Sequence, residues 1–319
     1  MGSDALESNR NSITRRSFLQ AAAPLALGLR EIVQGQTSID PGRFGEADLP
    51  WVRAELLKLV NAERAHAGLS LLQLDELACK VASEHALDMI SRRFLSHWSS
   101  DGHKPYHRYS FAGGFDAVQE NVSAAENIQS LRPASVARDL ADMHASMYFE
   151  TPPDDGHRRT ILYPFHTHVG FGIALQGDRL RLDELYLSKY VEIDSAPQRA
   201  KPKAMIPLRG RMLDSKHELI GADVYYEPLP SPPSIDWLRV ARPVGLPHER
   251  VSLRPRLPRK YVYDDDGSRG TIELDKKATF RVPVILFKDE PGIYTILVWL
   301  TGKQSDKPFP ATELCIRSE

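Results

Sequence analysis

The chain has 319 residues, of which 42% are hydrophobic and 26% charged, a composition typical of globular proteins and a length sufficient for two domains. Its 41 Lys and Arg residues nearly balance its 42 Asp and Glu residues, which argues against nucleic acid as the main partner, because phosphate neutralisation needs a basic surface. No apolar run of about 18 or more residues lies beyond the N-terminal region, so we expect no membrane-spanning helix in the mature chain.

Residues 1–45 are predicted to form an export signal and a flexible leader. The stretch 14–20 (TRRSFLQ), which contains Arg15 and Arg16, resembles the twin-arginine consensus, and a short apolar segment follows it. This resemblance implies a bacterial protein exported to the periplasm or the cell exterior, and tethered to the inner membrane if the signal is not cleaved. The alternative is an N-terminal tail in which the two arginines are adjacent by chance.

Three helices are predicted from apolar residues spaced three and four positions apart. They span residues 48–68, 75–93 and 133–149, and each of the first two begins at a capping Asp. His144 falls on the buried side of the third helix and is expected to point toward the core or the floor of a cleft. Residues 96–114, between the second and third helices, are predicted to be mostly loop.

Strands follow the helices. Alternating apolar residues at 169–175 and 180–193 predict an antiparallel hairpin, which makes residues 46–195 an α+β domain. The Pro-rich stretch 196–207 (APQRAKPKAMIP) is predicted to be a linker. Short alternating runs separated by turns then indicate a smaller all-β domain over 208–319, with the architecture of a sandwich.

The two cysteines, Cys79 and Cys315, fall on apolar faces of different predicted domains. We interpret them as two buried small hydrophobic side chains. A disulfide remains the alternative, since an exported chain could be oxidised.

The histidines are clustered along the chain. Seven of the 11 lie between residues 97 and 168, where even spreading would place only about 2–3. Because histidine binds metals and moves protons near neutral pH, the cluster indicates a functional site without naming its chemistry. The seven are His97, His103, His107, His144, His157, His166 and His168.

Four short stretches in this region match one family in order and spacing. They are residues 59–64 (LVNAER), 94–97 (FLSH), 119–121 (QEN) and 156–162 (GHRRTIL), the last followed by HVGFG at 168–172. Over about residues 50–192 the sequence therefore resembles the CAP superfamily of cysteine-rich secretory, antigen 5 and pathogenesis-related proteins. The resemblance implies a three-layer α-β-α sandwich with a broad surface cleft.

The family's cleft carries two His and two Glu residues. Position by position, the resemblance assigns His97, Glu120 and His157 to three of these places. Gln119 stands where the family has Gly, which puts the local turn in doubt, and Asn121 could cap or brace the same loop.

The fourth place departs from the family pattern, because Met147 stands where the second Glu is expected. Glu150, one helical turn later, could substitute for it. His144, on the same helix face as Met147, is the other candidate for a residue that supports the cleft.

Three functions remain open for such a cleft. His97 and His157 could hold a divalent metal, for which zinc is the best guess, or could simply hydrogen-bond to Glu120 and hold loops together. A metal-dependent peptidase or esterase with Glu120 as catalytic base is the second possibility, although no H-E-x-x-H or G-x-S-x-G motif occurs. The third is a binding module for an extracellular lipid, glycan or protein, and we favour recognition over turnover.

Overall fold

The computed structural model describes residues 42–275, 278–302 and 305–319. Arg15, Arg16 and nearly all of the predicted leader lie outside the described residues. Among the residues described, no helix combines the length and the apolar character needed to cross a bilayer.

Five helices belong to the first domain. They are α1 (Leu49–His66), α2 (Glu76–Arg92), α3 (Pro105–Phe111), α4 (Pro133–Tyr148) and α5 (Gly156–Ile161), preceded by a 3-10 turn at Glu46–Asp48. The Asp75 carboxylate caps α2 by accepting a hydrogen bond from the Ala78 N–H at 2.7 Å. Asp48 does not cap α1 in this way, because its carboxylate accepts from the Gly45 N–H instead. Helix α3 lies in the segment that the sequence predicted as loop.

A four-stranded sheet forms the middle layer of this domain. Its strands are β1 (Gln73–Leu74), β2 (Ala117–Ala125), β3 (His168–Gln176) and β4 (Arg179–Ser188), in the order β1-β3-β4-β2. Helices α1 and α4 pack on one face of the sheet, and α2 packs on the other. The predicted three-layer α-β-α sandwich is therefore confirmed.

Helix α2 approaches the sheet closely. A Cβ built on Gly170 or Gly172 would lie 2.3 or 2.1 Å from backbone atoms of α2. The small side chains of Ala78 and Ala82 complete this contact, and both are fully buried. This close contact packs the face of α2 that carries His85 directly against the central sheet.

The second domain is a sandwich of two sheets, as predicted. One sheet has the order β10-β11-β7-β5, and the other has the order β6-β14-β12-β8-β9 with β13 paired to β12. The short helix α6 (Ile235–Leu238) lies between β8 and β9. The strands are β5 (Val191–Ser195), β6 (Arg199–Ala200), β7 (Met205–Met212), β8 (His217–Pro228), β9 (Glu249–Leu253), β10 (Glu273–Leu274), β11 (Thr279–Ile285), β12 (Gly292–Gly302), β13 (Ser305–Pro310) and β14 (Leu314–Ser318).

The region predicted as a linker carries strands. Residues 196–207 contain β6, which pairs with β14, and the first residues of β7. Just before this region, Val191 and Ile193 bury their side chains in the sandwich core, so β5 pairs with β7 and does not extend the hairpin of the first domain. These strands are short and bury only alternate side chains, which is why the segment was predicted as a linker. The domain boundaries remain a prediction.

Strand β12 is buried on both faces. Its even-numbered residues from Tyr294 to Leu300 point into the core of the sandwich. On the opposite face, Ile293 packs with Cys315 against residues of α2, α3, β2 and β4. Two hydrogen bonds fix the same contact: the Cys315 N–H donates to the Ser110 hydroxyl at 2.7 Å, and the Val118 N–H donates to the Glu313 carboxylate at 2.8 Å.

Both cysteines are free and buried. Cys79 lies in α2, where its sulfur accepts a hydrogen bond from the Phe171 N–H, and Cys315 lies in β14 beside Thr295. The interpretation of the two cysteines as buried hydrophobic side chains is confirmed.

Candidate functional site

A cleft of about 930 Å³ opens where the two domains meet. Five of the residues that the sequence analysis assigned to the cleft line it: His97, Glu120, Asn121, Glu150 and His157. They come from the loop after α2, from β2, from the segment just after α4 and from the start of α5. The volume suits a small ligand or one segment of a larger one.

His97 and Glu120 form the first of two His–Glu pairs. The His97 Nδ1 lies 3.0 Å from the Glu120 Oε2. Arg108 of α3 donates to the other oxygen of Glu120 and also to the His97 carbonyl oxygen, at 2.8 Å. Burial alone would raise the pKa of Glu120, but Arg108 and the His97 hydrogen bond lower it to about 2. Glu120 is therefore held as a carboxylate.

His157 and Glu150 form the second pair. One Glu150 oxygen lies 2.5 Å from the His157 Nδ1, and the other accepts from the His157 N–H at 2.9 Å. A carboxylate that binds both the ring and the backbone of one residue fixes the orientation of the ring. Of the two candidates that the sequence left open, Glu150 and His144, it is Glu150 that lies beside His157 in the cleft.

Neighbouring residues of β2 join the two pairs. Glu120 binds His97, and the amide of Asn121 donates to the His157 carbonyl oxygen at 3.2 Å. One strand thereby positions the His97 pair and the His157 pair relative to each other.

The pairing determines which ring nitrogen is available. A carboxylate partner favours the proton on Nδ1, which leaves the Nε2 lone pair of His97 and of His157 free for a ligand. An imidazole nitrogen whose other N–H binds a carboxylate is the usual arrangement of a zinc-ligating histidine. His97 and His157 each therefore present an Nε2 of the kind that zinc accepts, with Glu120 and Glu150 as the orienting carboxylates.

Residues 57–190 match the sequence profile of the Cysteine-rich secretory protein family, CAP. This part of the chain is a CAP domain. An uncharacterized protein of Bacillus subtilis, YkwD, is 30% identical over 124 residues, which are 39% of this chain and 42% of that protein. The chain therefore spans less than half of the length of this relative.

Solved structures give further similarities to the CAP domain. An extracellular protein with an SCP domain from Bacillus anthracis is 22% identical with a TM-score of 0.32, covering 44% of this chain and 41% of that one. An outer surface protein of Borrelia burgdorferi is 14% identical with a TM-score of 0.36, covering 47% of this chain and 98% of that one.

His144 does not support the cleft of the CAP domain. Its ring is fully buried in the helical layer, where Nε2 lies 2.7 Å from Glu63 and Nδ1 lies 2.6 Å from Glu184. The expected inward orientation is correct, but the face of α4 that carries His144 turns toward α1 and β4. There the ring lies between the two carboxylates of Glu63 and Glu184.

The second domain supplies the opposite wall of the cleft. Val244, Leu246, Leu297 and Trp299 make this wall largely apolar. The Trp299 indole N–H donates to the Asp223 carboxylate at 2.8 Å, which fixes the ring at the edge of the cleft. The run at 293–299, predicted as one of the short alternating strands, is apolar except for Thr295, a pattern typical of a strand buried on both faces.

Glu313 adds a titratable group to the same wall. Burial raises the pKa of its carboxyl to about 8, although the Val118 N–H favours the ionised form. Glu313 is too distant in sequence from the CAP motifs for their spacing to reveal it, whereas Arg108 lies between two of the motifs in the stretch that was predicted as loop.

Proposed function

We propose that the protein is exported and that its cleft binds a divalent metal, with zinc preferred, together with an extracellular ligand. The observation that carries the proposal is the presence of two His–Glu pairs in one cleft, each with a ring nitrogen left free. Export is supported by the resemblance of the stretch around Arg15 and Arg16 to a twin-arginine signal and by the extracellular SCP-domain protein of Bacillus anthracis. A bound zinc ion would act as a Lewis acid and as an anchor for a polar group of the ligand.

The two walls of the cleft suggest the character of that ligand. One wall offers imidazoles and carboxylates, and the other offers aliphatic side chains and the Trp299 ring. A lipid, a glycan or a peptide segment that places a polar group near His97 and His157 and an apolar or ring-shaped part against Trp299 would satisfy both walls. Recognition of such a ligand is the function that we favour.

The alternative, a metal-dependent peptidase or esterase, would need a base in the cleft. Glu120 suits this role poorly, because Arg108 and the His97 hydrogen bond hold its pKa at about 2, far below neutral pH. The geometry therefore favours binding over hydrolysis.

The proposal is tested by the metal content of the full chain. The purified protein is stripped of metal, incubated with zinc sulfate and desalted, and its zinc is counted by elemental mass spectrometry. We expect the His157→Ala variant to carry one equivalent less than the wild type, since it removes one free Nε2. His217→Ala, which changes a histidine of the second domain paired with Asp214, serves as the control and should retain all of the zinc.

Equal zinc in the wild type and the His157→Ala variant would refute the metal part of the proposal. The His–Glu pairs would then be structural, and the search for ligands would turn to the apolar wall around Trp299.

A further inference from the structure

A second group of potential ligand atoms lies behind the cleft. One atom each of His85, Glu120 and Asp183 lies within 4.8 Å of the others. All three residues are buried, with exposed fractions of 1%, 8% and 0%. Only Glu120 also lines the cleft, so this cluster is interior to the domain, between α2 and the central sheet.

His85 presents a lone pair to the interior. Its Nε2 lies 2.8 Å from the Ser96 carbonyl oxygen, which can only accept, so this nitrogen carries the proton. The Nδ1 of the neutral ring is then an acceptor. It is buried and has no hydrogen-bond partner among the described residues. An imidazole with one nitrogen fixed by a carbonyl and the other free is oriented as a metal ligand.

Asp183 is the most anomalous member of the cluster. Neither of its carboxylate oxygens receives a hydrogen bond from an N–H or hydroxyl donor in the part of the chain that the structure describes, and both are buried beside the Glu120 carboxylate. An ionised carboxylate in this position is costly unless something positive compensates it. A proton or a cation must therefore accompany Asp183 inside the domain.

The Glu120 carboxylate can still bind a further group. Arg108 binds one of its oxygens and His97 the other, but a carboxylate offers about four lone-pair directions. Arg108 balances the charge of only one carboxylate. With Asp183 ionised, the cluster holds two negative charges, one guanidinium and one neutral imidazole.

We propose that His85, Glu120 and Asp183 form an internal site for a divalent cation. One imidazole nitrogen with two carboxylates is a donor set that suits zinc, at bond lengths of about 2.0–2.2 Å. The site does not rest on the function proposed for the cleft, since neither His85 nor Asp183 lines it. A bound internal ion would, however, restrain the Glu120 carboxylate on the side away from the cleft. The ion would then be connected to His97 through Glu120.

The test counts zinc in the full chain after loading with zinc sulfate and desalting, in the His157→Ala background so that the cleft pair is disrupted. We expect this background to retain one equivalent and to lose it when Asp183→Asn is added. Asp183→Asn keeps the shape of the side chain and removes its charge, and far-UV circular dichroism verifies the fold. His85→Gln in the same background provides a second, independent route to the same loss.

His107→Gln is the matched control. His107 is also fully buried, but its Nε2 lies 3.2 Å from the Glu227 carboxylate, outside the cluster, so its variant should keep the equivalent of zinc. The midpoint of thermal unfolding provides a second measurement. Zinc should raise this midpoint in the His157→Ala background and leave it unchanged once Asp183→Asn is added.

Two results would overturn the internal site. The first is a His157→Ala protein that binds no zinc, and the second is a folded Asp183→Asn variant with undiminished zinc, which would mean that a proton accompanies Asp183. The two proposals fail separately. Zinc lost only through Asp183→Asn would refute the cleft site, and zinc lost only through His157→Ala would refute the internal one.

Discussion

Replacing His144 tests whether the buried Glu63–His144–Glu184 cluster stabilises the first domain. All three side chains are at most 1% exposed. Burial alone would lower the pKa of His144, but the carboxylates of Glu184 and Glu63 outweigh it and raise the pKa from 6.5 to about 10. A rise of that size corresponds to about 5 kcal/mol in favour of the imidazolium, at roughly 1.4 kcal/mol per pH unit.

His144→Gln keeps a polar side chain of similar length but leaves two buried acidic groups without a cation. Breaking a buried ion pair typically costs ~3–5 kcal/mol. This cost agrees with the free energy derived above from the raised pKa of His144. It is a large part of a typical folding free energy of about 5–15 kcal/mol. We expect a loss of that order in urea unfolding at pH 7. His103→Gln, whose partner Asp101 is 61% exposed, is the control and should cost under about 1 kcal/mol.

The same variant tests the pH dependence. Because the folded-state pKa of His144 is raised, its contribution is fully present below pH 6.5 and is lost as the pH rises through about 10. The stability difference between wild type and His144→Gln should therefore shrink from pH 7 to pH 10.5. A loss under about 1 kcal/mol at pH 7, or a difference that does not change with pH, would refute the role assigned to the cluster.

Two further predictions concern packing and thiols. Gly172→Ala should destabilise the protein by about 1–3 kcal/mol, because its Cβ would lie 2.1 Å from the Ala82 backbone, whereas Gly156→Ala, with nothing within 4 Å, should be nearly neutral in the same unfolding assay. Equal effects would contradict the close approach of α2 to the sheet. Cys79 and Cys315, 3% and 2% exposed, should resist a thiol reagent in the native state and react as two thiols in urea. Rapid native labelling, or no labelling in urea, would contradict their description as buried and free.

The sequence predicted the parts of the fold that depend on local periodicity. The spacing of apolar residues located the three long helices, and the alternation at 169–175 located a strand of the central sheet. The motifs with His97 and His157 also fell at one cleft, because motif order along the chain reflects a known arrangement of elements.

What the sequence did not reveal depends on contacts between distant segments. Arg108 reaches Glu120 from a helix in a stretch that was predicted as loop. In the sequence, Asp183 is only a charged residue that interrupts a strand. The structure shows that α2 places His85 next to it. His144 could be assigned to a buried face, but periodicity does not say which groups lie across that face.

The burial of β12 on both faces has a consequence for how the protein unfolds. Separating the domains would hydrate the face that carries Ile293 together with the surfaces of the CAP domain beneath it, so neither part keeps its stability when the other is removed. Heating should therefore produce one cooperative transition, and an excised 46–195 fragment would expose an apolar face and tend to aggregate. We therefore expect the two domains to unfold as a single thermodynamic unit.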